Sequence, residues 1–242
     1  MRALVIIPTY NEMENLADIV ATVLAVPAGM DLDVLVVDDN SPDGTGKLAD
    51  SLAGDNLRVH VLHREKKEGL GPAYMAGFAW ALSRDFDRVM EMDADFSHDP
   101  AYIPDFLAAA DRADVVAGTR YKDGVRVINW PMQRLLLSFF ASIYARLATG
   151  MPFSDLTSGF KCFTRSALKR LDFSMVRSSG YSFQIEVTYM AWKRGLVIEE
   201  VPIVFTDRKK GTTKMSANIV LEALLLVLRF RLLGSRYGNP KS

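Results

Sequence analysis

A single cysteine, Cys162, among 242 residues excludes an internal disulfide and fits a reducing compartment. Histidine is also scarce, and His60, His63 and His98 are too scattered for a zinc site. No stretch reaches the roughly 18 uncharged apolar residues that would span a bilayer. The opening MRALVIIPTYNE is no secretory signal, because its apolar run is short and passes directly into a polar loop. Net charge is missing as well: 29 Lys plus Arg offset 29 Asp plus Glu, so no global field points to nucleic acid. Neither an internal repeat nor a low-complexity linker interrupts the chain. These absences leave a cytoplasmic globular protein as the expectation. The balance of charge still hides an asymmetry, since from Phe205 onward eight basic residues face two acidic ones, a basic tail.

What is present is an alternation. Hydrophobic residues make up 49% of the chain, ample for one large α/β domain or two small ones. Residues 3–7 form a continuous, largely β-branched run ending at Pro8, which reads as a buried parallel strand stopped by the proline. Leu16, Ile19, Val20, Val23 and Leu24 then recur at helical spacing. Further strands are predicted over 34–37, 58–62, 88–92 and 115–117, with helices between them. Such alternation with short connections predicts a doubly wound α/β sheet with right-handed crossovers. The second half changes character. Residues 130–149 read as a helix that is apolar nearly all round between Arg134 and Arg146, so it must be buried or must touch something greasy. A strand over 158–164, a helix over 181–193 carrying Gln184 and Glu186, and a strand over 196–205 follow. A polar basic loop, TDRKKGTTKMS, leads to a second greasy helix over 218–233. The expected organisation is one domain, 1–215, with a C-terminal appendage, 216–242.

Residues 89–100, VMEMDADFSHDP, organise the rest. A strand delivers Asp93 and Asp95 into a loop, and in an open parallel sheet ligands sit outside the carboxyl ends of the strands. Two hard oxygen donors separated only by Ala94 can hold one Mg²⁺ or Mn²⁺, which takes its remaining ligands from water and from a substrate's phosphates. The plainer reading makes Asp93 a turn residue and Asp95 a helix cap before Pro100. Company elsewhere outweighs it: the first strand ends in PTYNE with Glu12, and the second in DDNSPDGT with Asp38 and Asp39. No GxGxxG follows the first strand, which argues against a dinucleotide site of that kind and makes a metal on Asp95 the candidate holder of phosphate.

The motifs PTYNE, DDNSPDGT, EKKEGLGPAY, MDADFSHDP, GTRY, DLTSGFK, GYSFQIE and VPIVFTDRKKGTTKMS cover essentially residues 1–230. In this combination the chain resembles the inverting family 2 glycosyltransferases of the GT-A fold, and within them the polyprenol-phosphate mannosyltransferases of the dolichol-phosphate mannose synthase group. The resemblance implies a mixed, mostly parallel sheet flanked by helices. It implies transfer of mannose from GDP-mannose to a polyprenyl phosphate with inversion, assisted by Mg²⁺ or Mn²⁺. It further implies that Pro8, Tyr10, Glu12, Val37 and Asp39 contact the guanosine, that Asp93, Ala94 and Asp95 bind the sugar diphosphate, and that Asp95 and Ser97 meet the metal. Family members often carry Gln or Ser at that last position, so Ser97 is the weaker ligand. Arg120, Arg134, Arg208 and Lys214 match the family's phosphate-binding positions, and Asp93, Asp95 and Arg120 are the residues expected to carry the chemistry. Asp155 and Glu186 sit in family motifs without a derivable role; bracing the acceptor loop is as open as reacting.

Physical chemistry agrees with that division of labour. A lipid phosphate is already an anion near neutral pH, so positioning and electrostatics rather than a strong general base should supply most of the rate. The plain alternative for each cation is a solvated surface charge. His98 is expected to shape its loop. The polyprenyl tail stays in a bilayer, so helices over about 131–148 and 219–233 are expected to lie in the membrane surface, with the basic loop and tail facing anionic headgroups. A separate membrane-anchoring partner protein fits equally well. Either way the expected location is peripheral, on the cytoplasmic side. Competing readings are a UDP-glucose-dependent polyprenyl-phosphate glucosyltransferase, a sugar-nucleotide pyrophosphorylase, which would need a glycine-rich basic loop where PTYNE stands, and a non-catalytic membrane scaffold, against which intact Asp93 and Asp95 argue.

Overall fold

Apolar runs form the central strands because both of their faces are covered. In β1 (Arg2–Thr9), Leu4 and Ile6 pack into one hydrophobic layer and Ala3, Val5 and Ile7 into the other, all fully buried. Strand β2 (Asp31–Asp38) repeats the pattern with Leu35 and Val37 on the first side and Leu32, Val34 and Val36 on the second. Burying each such side chain contributes about 1.5–3 kcal/mol, which is what holds a parallel sheet between two helical layers. The computed structural model describes residues 1–178, 180, 182–206, 230 and 237, and only the backbone of Arg134.

The remaining strands are β3 (Val59–His63), β4 (Arg88–Glu91), β5 (Val115–Thr119), β6 (Val127–Ile128), β7 (Lys161–Thr164), β8 (Ile198–Pro202) and β9 (Phe205–Thr206). Of the nine strands among the described residues, seven form one sheet in the order β3-β2-β1-β4-β7-β5-β8, parallel except for β7, which is antiparallel to both neighbours; β6 and β9 make a separate two-stranded ribbon. Helices α1 (Leu16–Leu24), α2 (Thr45–Asp55) and α4 (Ile103–Ala109) supply residues to one layer. Helices α3 (Leu70–Leu82), α6 (Arg165–Arg170) and α7 (Ser182–Lys193) supply the other, with Ala145 of α5 (Met132–Thr149). The mixed, mostly parallel sheet flanked by helices is the architecture that the resemblance implied.

Two features of this topology place the site. The chain leaves β1 for β2 on one side and reaches β4 on the other, so a crevice opens between the ends of β1 and β4. Reversal of β7 then brings the segment leading into it, residues 154–160, to the same edge as the carboxyl ends of β4 and β5.

Some boundaries differ from the sequence reading for physical reasons. Pro8 does not stop β1; it pairs with Val37 inside the strand. Pairing of β1 with β4 ends at Ile6, and by strand alternation the nitrogen of Pro8 faces that vacated side, so its missing N–H removes no ladder bond. The strand expected over 196–205 divides into β8 and β9, because after the Ile203 N–H has bonded to the Thr119 carbonyl the Val204 N–H turns to the Tyr102 hydroxyl at 3.0 Å and the Phe205 N–H to the Arg126 carbonyl at 3.0 Å. Apart from Phe230, the helix expected over 218–233 lies outside the described residues, as do the division at 215, Arg208 and Lys214.

Candidate active site

The loops after β1 and β2 are built on each other. Asp38 is buried at the end of β2, and its carboxylate accepts from the Thr9 hydroxyl at 3.0 Å, the Ser41 hydroxyl at 2.6 Å and the Ser41 N–H at 3.1 Å. The backbone of the first loop is held in turn, with the Asn11 N–H on Ser41 Oγ at 3.1 Å and the Glu12 N–H on Thr45 Oγ1 at 3.0 Å. Glu12 accepts from Asn15 Nδ2 at 2.8 Å. Asp38 therefore ties loops together, while its neighbour Asp39 faces a different partner: Arg64 Nη1 donates to Asp39 Oδ1 at 2.6 Å. Burial raises the Asp39 pKa above the ordinary carboxylate value, against the opposing pull of Arg64. Lys67, from the same loop as Arg64, lies 3.8 Å over the Tyr10 ring. Pro8, Tyr10, Glu12, Val37 and Asp39 thus share one edge, and Arg64 and Lys67 join them there without having been singled out as more than members of a basic run. Gly69 opens that run into α3 at φ +107, a conformation that suits glycine, and a side chain on Gly71 would lie 2.8 Å from Phe183 and from the Ser178 carbonyl.

Across the crevice, the loop after β4 presents Asp93 and Asp95. Asp95 Oδ1 accepts from the Ser97 N–H at 3.1 Å, a turn made possible by Phe96 at φ +61. Positive φ at a bulky residue costs on the order of 1–3 kcal/mol, and Asn11 (φ 60) and Asn40 (φ 57) do the same in the other two loops. His98 Nδ1 accepts the Asp93 N–H at 3.1 Å, and its ring stacks on Phe160 with centroids 5.0 Å apart. Burial holds His98 well below its usual pKa, against the opposing pull of the Asp95 charge, so it stays neutral and shapes the loop. Helix capping falls to Asp99, whose side chain accepts from the Ala101 N–H at 2.9 Å before Pro100, rather than to Asp95. Asp93 remains 37% exposed and Ala94 is buried.

Beneath this loop lies a set of buried polar groups that no sequence motif had marked as a unit. Glu91 pairs in register with Lys161 across β4 and β7, and both are fully buried. The Lys161 ammonium donates to the Ser158 carbonyl at 2.6 Å and to Gln184 Oε1. Burial pushes Glu91 up and Lys161 down, each countered by the other's charge. Tyr74 is buried beside them; burial and then the Asp93, Glu91 and Asp95 charges raise its hydroxyl well above the normal tyrosine range. The one sequence-level clue was an acid inside the otherwise apolar VME of β4.

On the far side of the crevice Arg120 follows β5. Its Nε donates to Asp155 Oδ2 at 2.6 Å, and its Nη2 to Asp155 Oδ1 at 2.8 Å and Thr157 Oγ1 at 2.6 Å. Burial alone would depress the guanidinium, but the Asp155 charge and hydrogen bonds hold it above its ordinary pKa. Trp130, Phe205 and Tyr121 surround it at 5.2–5.5 Å from ring centroids. Asp155 is therefore the brace of Arg120. Glu186 is also a brace: it accepts from the Arg177 and Ser178 N–H groups, the Ser178 hydroxyl and the Tyr237 hydroxyl. Arg134 stands in the first turn of α5.

A family model described as "Glycosyl transferase family 2" matches residues 4–172. The chain belongs to glycosyltransferase family 2. Among curated relatives, the "Undecaprenyl-phosphate mannosyltransferase" of Micrococcus luteus is 46% identical over 233 residues, covering 96% of this chain and 95% of the relative. The "Polyprenol monophosphomannose synthase" of Mycolicibacterium smegmatis is 48% identical over 236 residues, 96% of this chain and 88% of that one. Among solved structures, glucosyl-3-phosphoglycerate synthase from Mycobacterium tuberculosis with Mn²⁺, UDP-glucose and phosphoglyceric acid aligns with a TM-score of 0.67 at 19% identity, over 99% of this chain and 81% of the other. The same enzyme with Mg²⁺ and UDP gives 0.61 at 20% identity, over 99% and 80%. At that distance the likeness concerns the fold, which is GT-A.

The donor set of this family 2 glycosyltransferase fits a divalent cation shared with a substrate. The Ser97 hydroxyl is buried and has no hydrogen-bond partner among the described residues, two positions from the Asp95 carboxylate. Among the described residues no group of three His, Cys, Asp or Glu forms a complete protein cage for a metal. One carboxylate with a neutral oxygen beside it is the pattern of an ion that completes its shell from phosphates and water.

Proposed function

We propose that this family 2 glycosyltransferase transfers mannose from GDP-mannose to a polyprenyl phosphate with inversion, giving polyprenyl-phosphate mannose and GDP. The observation that carries the reading is identity of 46% and 48% over nearly the full length to two relatives whose names both specify that class of product or acceptor. In this reading Pro8, Tyr10, Glu12, Val37 and Asp39 hold the guanosine; an acid such as Asp39 accepts from base or ribose donors, and Tyr10 offers a face for stacking. Asp93, Ala94 and Asp95 meet the sugar diphosphate. Asp95 and Ser97 would hold Mg²⁺ or Mn²⁺, which when bound neutralises charge on the departing diphosphate.

The acceptor phosphate is its own nucleophile, so the protein's task is to steer it onto the face of the sugar opposite the diphosphate. Arg120 is assigned to that phosphate. Its described bonds use Nε and Nη2, and Nη1 is the donor assigned to the ligand. Arg134, Arg208 and Lys214 complete the proposed set of cations. Helix α5 supports a membrane surface as partner. Its buried residues include Ser138, Ser142 and Ala145, whereas Leu136, Leu137, Phe140 and Leu147 are exposed. Among the described residues no helix is long and apolar enough to cross a membrane, so the proposed attachment is peripheral, at the cytoplasmic face, directly or through a membrane-anchoring partner protein; nucleic acid has no place in it.

Radiolabelled GDP-mannose with liposomes, with and without polyprenyl phosphate, tests the proposal. Label should enter lipid only when polyprenyl phosphate and Mn²⁺ or Mg²⁺ are both present. GDP should raise the melting temperature more than UDP does. Protection by UDP instead would overturn the donor assignment, and transfer from GDP-mannose that ignores polyprenyl phosphate would overturn the acceptor.

A further inference from the structure

The loop joining β3 to α3 holds a charged link that the donor assignments leave unused. Arg64 begins it, with its backbone N–H on the Asp38 carbonyl at 2.8 Å, so the residue is registered to the end of β2 before its side chain acts. Its guanidinium then divides: Nη1 donates to Asp39 Oδ1 at 2.6 Å and Nη2 to Glu68 Oε2 at 2.7 Å. The Arg64 and Asp39 side chains are 12% and 7% exposed, so the bond is sheltered from water, while Glu68 remains 46% exposed. Asp39 is fixed from a second direction, because its own N–H donates to the Thr9 carbonyl at 3.0 Å. The Arg64 side chain thereby ties the end of β3 to that of β2, and the Asp39 backbone ties both to the end of β1, at the carboxylate assigned to the nucleoside.

We propose that Arg64 is a positioning residue for the donor nucleotide, fixing the Asp39 carboxylate so that its remaining lone pairs are presented to nucleoside N–H or O–H donors. The proposal rests on the reading of Asp39 as a nucleoside ligand. Chemistry favours arginine for the task. A carboxylate accepts at about four positions, so the bond to Nη1 leaves room for a ligand. A planar fork fixes direction as well as charge, whereas a lysine at the same point would act as a single rotatable charge. Arg64 also keeps Asp39 ionised in a place where burial disfavours the anion, and an ionised acid is the form that accepts from a base edge or a ribose.

The test uses the full chain with Mn²⁺ and GDP as the probe, by calorimetric titration, together with steady-state transfer from GDP-mannose. Arg64→Gln and Arg64→Lys should each weaken GDP by about tenfold or more and raise the donor KM in parallel. Turnover at saturating donor should change less than about twofold. In Arg64→Gln the pH at which donor affinity is lost on acidification should move upward, because removing the cation further favours the protonated acid. Melting temperatures are read alongside, and if Arg64→Gln does not fold, Arg64→Lys carries the test. Asp39→Asn separates the two layers: unchanged GDP affinity in that variant sinks the nucleoside reading and this proposal with it. Weakened GDP binding by Asp39→Asn, with unchanged binding and an unmoved pH profile in the Arg64 variants, overturns the Arg64 proposal alone. Losses confined to turnover or to melting temperature would also overturn it.

Discussion

Helices α3 and α5 have opposite relations between residue size and depth. In α3 the buried face carries Tyr74 and Phe78, together with Ala73, Ala81, Gly77 where Ile6 of β1 comes close, and Gly71 where Phe183 of α7 does. In α5 it is small residues, Ser138, Ser142 and Ala145, that go inside, while Phe140 is 60% and Leu147 77% exposed. Hydrophobic content is high in both. What differs is where the large groups point, and the difference shows that α3 completes a core whereas α5 offers its apolar surface outward. The same division runs through the loops. Those after β1 and β2 are stitched by short bonds from Ser, Thr and Asp to backbone, and the loop after β5 is held by a buried ion pair, Arg120 with Asp155.

The largest effects should come from breaking what each side has buried. Phe78→Ala in α3 should cost about 3–5 kcal/mol in denaturant unfolding, because Phe163, Phe173 and Tyr74 are left around a cavity. Asp155→Ala should cost a similar 3–5 kcal/mol or so, since Arg120 would remain buried without its anion; exchanging both for apolar residues should recover much of the loss. Asp95→Asn comes next: transfer should fall at least about a hundredfold at fixed Mn²⁺, with melting temperature nearly unchanged, and unreduced transfer would reject the metal assignment. Chelation of the metal in the native enzyme should mimic that variant.

On α5 the comparison predicts a separation of stability from attachment. Phe140→Glu should alter unfolding by less than about 0.5 kcal/mol, as expected of an exposed position, yet abolish flotation with liposomes. Should Phe140→Glu unfold the protein as Phe78→Ala does, the outward reading of α5 would be wrong. The smallest effect expected is at Cys162, which is fully buried and whose thiol burial pushes up to about 12. Disulfide reagents at neutral pH should leave it untouched until denaturant opens β7.

Much of the fold was legible in the chain. Residues 3–7 and 34–37 announced buried strands by being apolar at every position, and Leu16, Ile19, Val20 and Val23 announced α1; all four are buried. The loops carrying Glu12, Asp39 and Asp95 were legible as one edge because parallel strands send their carboxyl ends the same way. Less was legible wherever a partner comes from far along the chain. The bond of Arg120 to Asp155 spans 35 residues and the pairing of Glu91 with Lys161 depends on an antiparallel register; neither leaves a local periodicity to read. Pro8 misled for the same reason, since a proline stops a strand only when a neighbour needs its N–H, and here β4 had already ended.

What sequence alone determined is therefore the alternation of strands and helices, the sheet they build and the acidic loops at its edge, because those follow from side-chain period and from turn residues close to one another. Tertiary structure decided which partner each acid takes, since Asp38 and Asp39 are adjacent, yet one ties two loops together and the other pairs with Arg64. It also decided the orientation of α5. A helix apolar nearly all round has no preferred inward face until the residues packed against it, Tyr121 on Ser138 among them, select one.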